Sequence, residues 1–131
     1  MLAVRVDNSA VADVAPLSAD YTFFGGIYRD VSLVALDPLS VRMDDFGGPG
    51  VYLTQRLVTA EAAQVDVVTK AHNASGGSRS VRVRTVLSDA RGREVSRVVS
   101  PPASISTDLG VSQRLSLSRP HRWQGTADPH L

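Results

Sequence analysis

The side chains able to do chemistry in this 131-residue chain are few and scattered. Glutamate occurs only as Glu61 and Glu94, each beside a turn signal, and Asp44 and Asp45 are adjacent. Neighbours on a strand point to opposite faces, so that pair does not converge. Cleavage of a glycosidic bond needs two carboxyl groups about 5–9 Å apart across one pocket. Nothing in the spacing assembles such a pair, and no catalytic residue is expected. The histidines, His72, His121 and His130, lack helical ligand spacing, and there is no cysteine to join them. A structural metal site is therefore not expected. Neither glycine run, 25–26 or 47–50, leads into a helix, so neither has the amide cluster that cradles phosphate. Asn73-Ala74-Ser75 matches the glycosylation triplet but is read as a loop. Asp20 stands apart, followed by Tyr21, Phe23 and Phe24 and then Gly25-Gly26. A carboxylate there could hydrogen-bond a sugar while the rings stack on it. The plainer account is an Asp turn over a small apolar cluster, and the residues alone favour the turn.

The elements that would position these groups read as strands. Leu2, Val4 and Val6 are apolar with Arg5 between, which predicts a short strand, and Asp7-Asn8-Ser9 turns the chain. Asp30 to Leu36 carries apolar residues on both faces, which predicts a strand covered on both sides. Asp37-Pro38 ends it, because proline lacks a donor and holds the preceding residue extended. A domain boundary is expected there, dividing 1–37 from 38–131. Beyond it, period-two alternation is steady. Strands are predicted from Leu39 to Met43, Val51 to Val58, Gln64 to His72, Ser80 to Ser88, Glu94 to Ser100 and Gly110 to Ser118. Val65, Val67, Thr69 and Ala71 should face inward, as should Val81, Val83, Thr85 and Leu87. Asp89-Ala90-Arg91-Gly92 predicts a tight hairpin connection, and Pro101-Pro102 a strand stop. No helical period is evident, and the whole predicts an all-β sandwich.

Charge is unevenly spread. Residues 1–69 hold four Arg against nine acids, a balance of −5; residues 70–131 hold nine Arg and one Lys against four acids, a balance of +6. Arg82 and Arg84 alternate with Val81 and Val83, which is a solvated strand face. No aromatic platform interleaves with the arginines, so nucleic-acid binding is not expected. The apolar runs fall short of a membrane span, and the amino terminus lacks a signal-peptide pattern, so a cytoplasmic chain is expected.

FFGGIYRDVSLV resembles the G-[IF]-[YF]-R-D-V-x-L segment of glycoside hydrolase family 2, the β-galactosidase and β-glucuronidase family. LAVRVDNS resembles the strand and turn that lead to it. VYLTQ, VDVVTKAHNAS and VRVRTVLSDARGREV follow in the family's order. RPHRWQGTADPHL resembles its P-x-L-W…P-x-L-Y ending, with Arg122 where an apolar residue is usual. The resemblance implies the last strands of a sugar-binding jelly roll over 1–37. It implies an immunoglobulin-like β-sandwich over 38–131, cut short of its final strands. It also implies a catalytic (β/α)₈ barrel that this chain lacks. By the same resemblance, Asp20 would bind substrate in a β-galactosidase and contact a monovalent cation such as sodium, and Arg29 would pair with an acid at the domain junction. The chain itself is expected to need no cofactor and to be inactive alone. It is expected to support a barrel acting on β-galactosides, with open strand edges that favour self-association. The alternative is a free-standing β-sandwich binding or adhesion module.

Overall fold

A computed structural model describes residues 2–7, 9, 13 and 25–129. The chain divides into two compact units, Met1–Ala35 and Leu36–Leu131.

In the first unit the strands predicted at 2–6 and 30–36 do not form; the described residues there join no ladder. Their apolar side chains are exposed, Leu33 by 89%. A strand is stable only when its amides and carbonyls find a neighbouring strand, and no such partner lies among the described residues. The Arg29 guanidinium lies over the Tyr28 ring, 5.7 Å from its centre. The acidic partner expected for Arg29 is not found among the described residues.

Among its described residues the second unit holds eight strands: β1 (Leu39–Val41), β2 (Val51–Val58), β3 (Ala62–Asn73), β4 (Arg79–Val81), β5 (Arg84–Ser88), β6 (Glu94–Val99), β7 (Ala103–Ile105) and β8 (Asp108–Ser118). A single 3-10 turn follows at Gly125–Ala127. All strand pairs are antiparallel. β3 is the spine of the main sheet. β8 runs along one edge of it, with Val67 opposite Gln113. β1 and β2 share the other edge, β1 opposite Ala71–Asn73 and β2 opposite Ala63–Thr69. The alternation read from the sequence sets the inner face. Ala63, Val67, Thr69, Ala71 and Asn73 of β3 are buried, as are Gln113 and Leu115 of β8.

A second, broken ribbon covers that face. β5 pairs with β6 through the Asp89–Arg93 turn, and β4 pairs with β7. Gly92 takes the positive φ, +76°, that the turn requires. Pro101-Pro102 interrupts the ribbon as expected. Ser100 bridges the break: its N–H donates to the Val83 carbonyl at 2.8 Å, and its Oγ accepts from Val83 N–H at 2.9 Å. Gln113 ties the layers, donating to the Val83 carbonyl (3.0 Å) and accepting from Thr85 Oγ1 (2.7 Å). Ile105 of β7 and Val67 of β3 fill the centre with no exposure at all. The result is an all-β sandwich in which β2 is exposed along its whole length.

Candidate functional site

Asp20, Tyr21, Phe23 and Phe24 lie outside the described residues, as does His130. The remaining candidates form separate clusters on the second unit. Among the described residues, no group of three or more His, Cys, Asp or Glu could hold a metal ion.

The segment between β1 and β2 leaves the sheet as a narrow excursion. Gly50 returns it: its N–H donates to the Arg42 carbonyl, and its carbonyl accepts from Lys70 N–H, both at 2.7 Å. Any Cβ at Gly50 would lie 2.9 Å from the Lys70 Cβ, so the approach needs glycine. At the tip, Asp45 and Gly48 exchange backbone hydrogen bonds, and Phe46 and Gly47 take φ of +51° and +79°. Asp44 and Asp45 lie beyond β1 and take different partners. Asp44 takes two hydrogen bonds from Arg42, at 3.0 and 3.1 Å. Asp45 accepts from the Lys70 ammonium and the Tyr52 hydroxyl. The Lys70 ammonium also lies 5.2 Å from the centre of the Tyr52 ring and 5.5 Å from that of Phe46. Hydrogen bonds from Lys70 and Tyr52 lower the Asp45 carboxyl, and the same hydrogen bonds, with its charge, raise Lys70 and Tyr52.

On the outer sheet face Asp66 is held by two arginines from neighbouring strands. Arg114 of β8 donates at 2.6 and 3.1 Å and Arg56 of β2 at 2.7 Å. These bonds lower the Asp66 carboxyl to about 2. The trio spans three strands and was invisible in the sequence, because register decides who sits beside whom. Asp108 is similarly shared, by Arg42 at 3.2 Å and His72 Nδ1 at 3.0 Å. His121 Nε2 lies 2.6 Å from Asp128 and closes the tail.

Asn73 is no acceptor for a glycan. Its side chain is buried and donates to the carbonyls of Gly77 (2.7 Å), Ile105 (3.0 Å) and Ser106 (3.4 Å). Its Oδ1 accepts from the Ser75 N–H and hydroxyl. This is a plug that fastens the β3–β4 loop to β7.

The chemistry these clusters permit is limited. A general acid needs a carboxyl raised toward neutrality. Every described carboxyl with a shifted value is instead lowered by hydrogen-bond donors, as at Asp7, Asp44, Asp45, Asp66 and Asp89. Glu61 sits in the turn before β3. Glu94 pairs with Arg97 at 3.4 Å. The clefts lined by Asp44, Asp66 and Asp89 each hold that one carboxyl group. No helix among them is long and apolar enough to cross a membrane.

Comparison with known proteins places these features in a wider frame. No family model matches the chain. A β-glucuronidase of Bacteroides fragilis is 33% identical over 131 residues, covering 98% of this chain and 18% of the relative. The β-galactosidase BoGH2A of Bacteroides ovatus is 35% identical over 124 residues, covering 94% of this chain and 13% of the relative. Among solved structures, a β-glucuronidase from glycoside hydrolase family 2 superposes with a TM-score of 0.60 at 20% identity, over 66% of this chain and 10% of that one. The chain therefore spans less than a fifth of the length of the relatives it matches.

Proposed function

We propose, from its similarity in sequence and fold to a β-domain segment of glycoside hydrolase family 2 proteins, that this chain is the non-catalytic β portion of a retaining β-glycosidase of the β-galactosidase type. Residues 1–37 are the end of the sugar-binding jelly roll, and 38–131 the immunoglobulin-like sandwich. The observation that carries the reading is a match that runs along nearly the whole chain yet covers 18% or less of each relative. Chemistry belongs to a barrel outside this segment, and the β domains buttress it.

In that assembly the parent cleaves β-galactosides by double displacement through a glycosyl-enzyme intermediate. Asp20 contributes from the jelly-roll side, contacting the sugar and a monovalent cation such as sodium. The compartment proposed is the cytoplasm, which fractionation of source cells checks. The open β2 edge gives the isolated chain a route to self-association.

The test is turnover of a chromogenic β-galactoside by the purified 131-residue chain. None is expected. Activity that co-purifies with the chain and survives further fractionation would overturn the proposal. In a parent that contains the barrel, Asp20→Asn is expected to raise KM and to weaken the dependence of activity on sodium.

A further inference from the structure

We infer that the cleft beside the β5–β6 hairpin binds an acidic saccharide, its carboxylate or sulfate groups held by Arg91 and Arg119. The cleft measures about 720 Å³ and lies between the 89–93 turn and the chain leaving β8. Its floor is apolar, formed by Leu87, Val95, Leu117 and Pro120. Its charge is basic and only partly answered. The one carboxylate in the lining, Asp89, is committed within its own turn. It accepts from the N–H groups of Arg91 and Arg93 at 2.9 Å and from the Arg93 guanidinium at 2.7–2.8 Å. The guanidinium groups of Arg91 and Arg119 have no acidic or hydrogen-bonding partner among the described residues.

Arg119 is also held unusually. Its φ is +46°, a left-handed conformation disfavoured for a side chain with a Cβ. Its N–H is anchored to the Glu61 carbonyl at 2.8 Å. Such strain persists where surrounding structure imposes it, and it concentrates at ligand sites. Two arginines lining a cleft with an apolar floor suit oxyanions carried on a ring with an apolar face.

The cleft continues into a second trough of about 680 Å³, which shares Leu87, Leu117, Pro120 and His121 and adds Arg122 and Trp123. Trp123 is 63% exposed and lines this second trough. The first cleft itself has no Phe, Tyr or Trp in its lining. A single-stranded nucleic acid needs successive rings on which bases stack, so the arrangement favours a saccharide. The basic excess of residues 70–131, left unused by the domain reading, thus acquires a role. The saccharide identity rests on the carbohydrate reading above, whereas the unanswered basic charge does not.

Trp123 is the chain's only tryptophan, so its fluorescence reports directly on the trough. The purified chain is titrated with an oligogalacturonate, a heparin-derived oligosaccharide, a neutral galacto-oligosaccharide and a single-stranded DNA oligonucleotide. At least one acidic saccharide is expected to bind and to shift the Trp123 emission, and the pair separates uronate from sulfate recognition. The neutral sugar is expected not to bind, and added salt to weaken the complex. The R91A/R119A double variant should lose affinity by about tenfold or more, the scale of lost charge-assisted hydrogen bonds. R82A, which removes an exposed arginine elsewhere, should bind as the parent does. Circular dichroism checks that both variants keep the fold. The inference is overturned if neither acidic saccharide binds or if the double variant binds as tightly as the parent. It is equally overturned if the DNA or the neutral sugar binds as well as the acidic sugars. None of those failures touches the β-domain proposal, which stands or falls on the absence of turnover.

Discussion

At the scale of residues, the most informative side chains are Asp66 and Asn73. Asp66 is tied to Arg56 and Arg114, and its carboxyl is lowered from the ordinary 3.8 to about 2. A carboxyl depressed in the folded state adds stability above its unfolded value, and that stability is lost as pH falls through the folded value. Urea midpoints should therefore fall as pH drops from about 4 toward 2, and Asp66→Asn should flatten that part of the profile. NMR titration of the Asp66 carboxyl carbon checks the assignment. Asn73→Ala removes the donor to three carbonyls, leaving that of Ile105 buried and those of Gly77 and Ser106 part-buried. It should cost about 1–3 kcal/mol in denaturant unfolding. The alternation of β3 already put Asp66 outward, opposite in phase to Val65 and Val67. It could not name the arginines, one ten residues earlier and one 48 later. Nor could the Asn73 triplet reveal its burial, since the same three letters serve an exposed loop and an Asx plug.

At the scale of elements, strand phase and turn chemistry were legible and pairing was not. The 89–93 hairpin, the stop at Pro101-Pro102 and the inner faces of β3, β5 and β8 follow from glycine, proline and period-two spacing. The strands predicted at 2–6 and 30–36 also had strand-like apolar spacing, on both faces at 30–36, but no ladder partner among the described residues. Alternation is thus necessary for a half-buried strand and insufficient for one. Gly50 shows the reverse case, a residue whose need is visible only in three dimensions. Gly50→Ala must displace the Lys70 Cβ or the Lys70 backbone, and a loss of about 1–3 kcal/mol is expected by thermal or denaturant unfolding. β2 is an edge strand with one charge, Arg56, already engaged by Asp66, and Leu53 exposed by 69%. Such an edge invites pairing with another chain. Sedimentation velocity should show the 131-residue chain associating as concentration rises, and Leu53→Lys should shift it toward monomer.

At the scale of the whole molecule, the core of the second unit is small. Among the described residues, its buried apolar side chains are Ala63, Val67, Ala71, Ile105 and Leu115, while Trp123, Val86 and every residue of β2 remain exposed. A chain with so little enclosed and so much apolar surface open is expected to bind a hydrophobic dye strongly. A free-standing binding module would instead be monomeric and unfold in one cooperative step. Combining dye binding, sedimentation and a thermal melt separates those outcomes. The sequence by itself determined the all-β class, the strand phases, the turns and the likeness to one glycosidase family. All of these depend on residues close together in the chain or on the order of short motifs. Only the tertiary structure decided which charges meet, that Asn73 is sealed, that Gly50 must be glycine, and that Arg91 and Arg119 share a cleft. Those facts depend on strand register and on the packing of one layer over another. Register and packing are set by contacts between residues tens of positions apart, which no local pattern encodes.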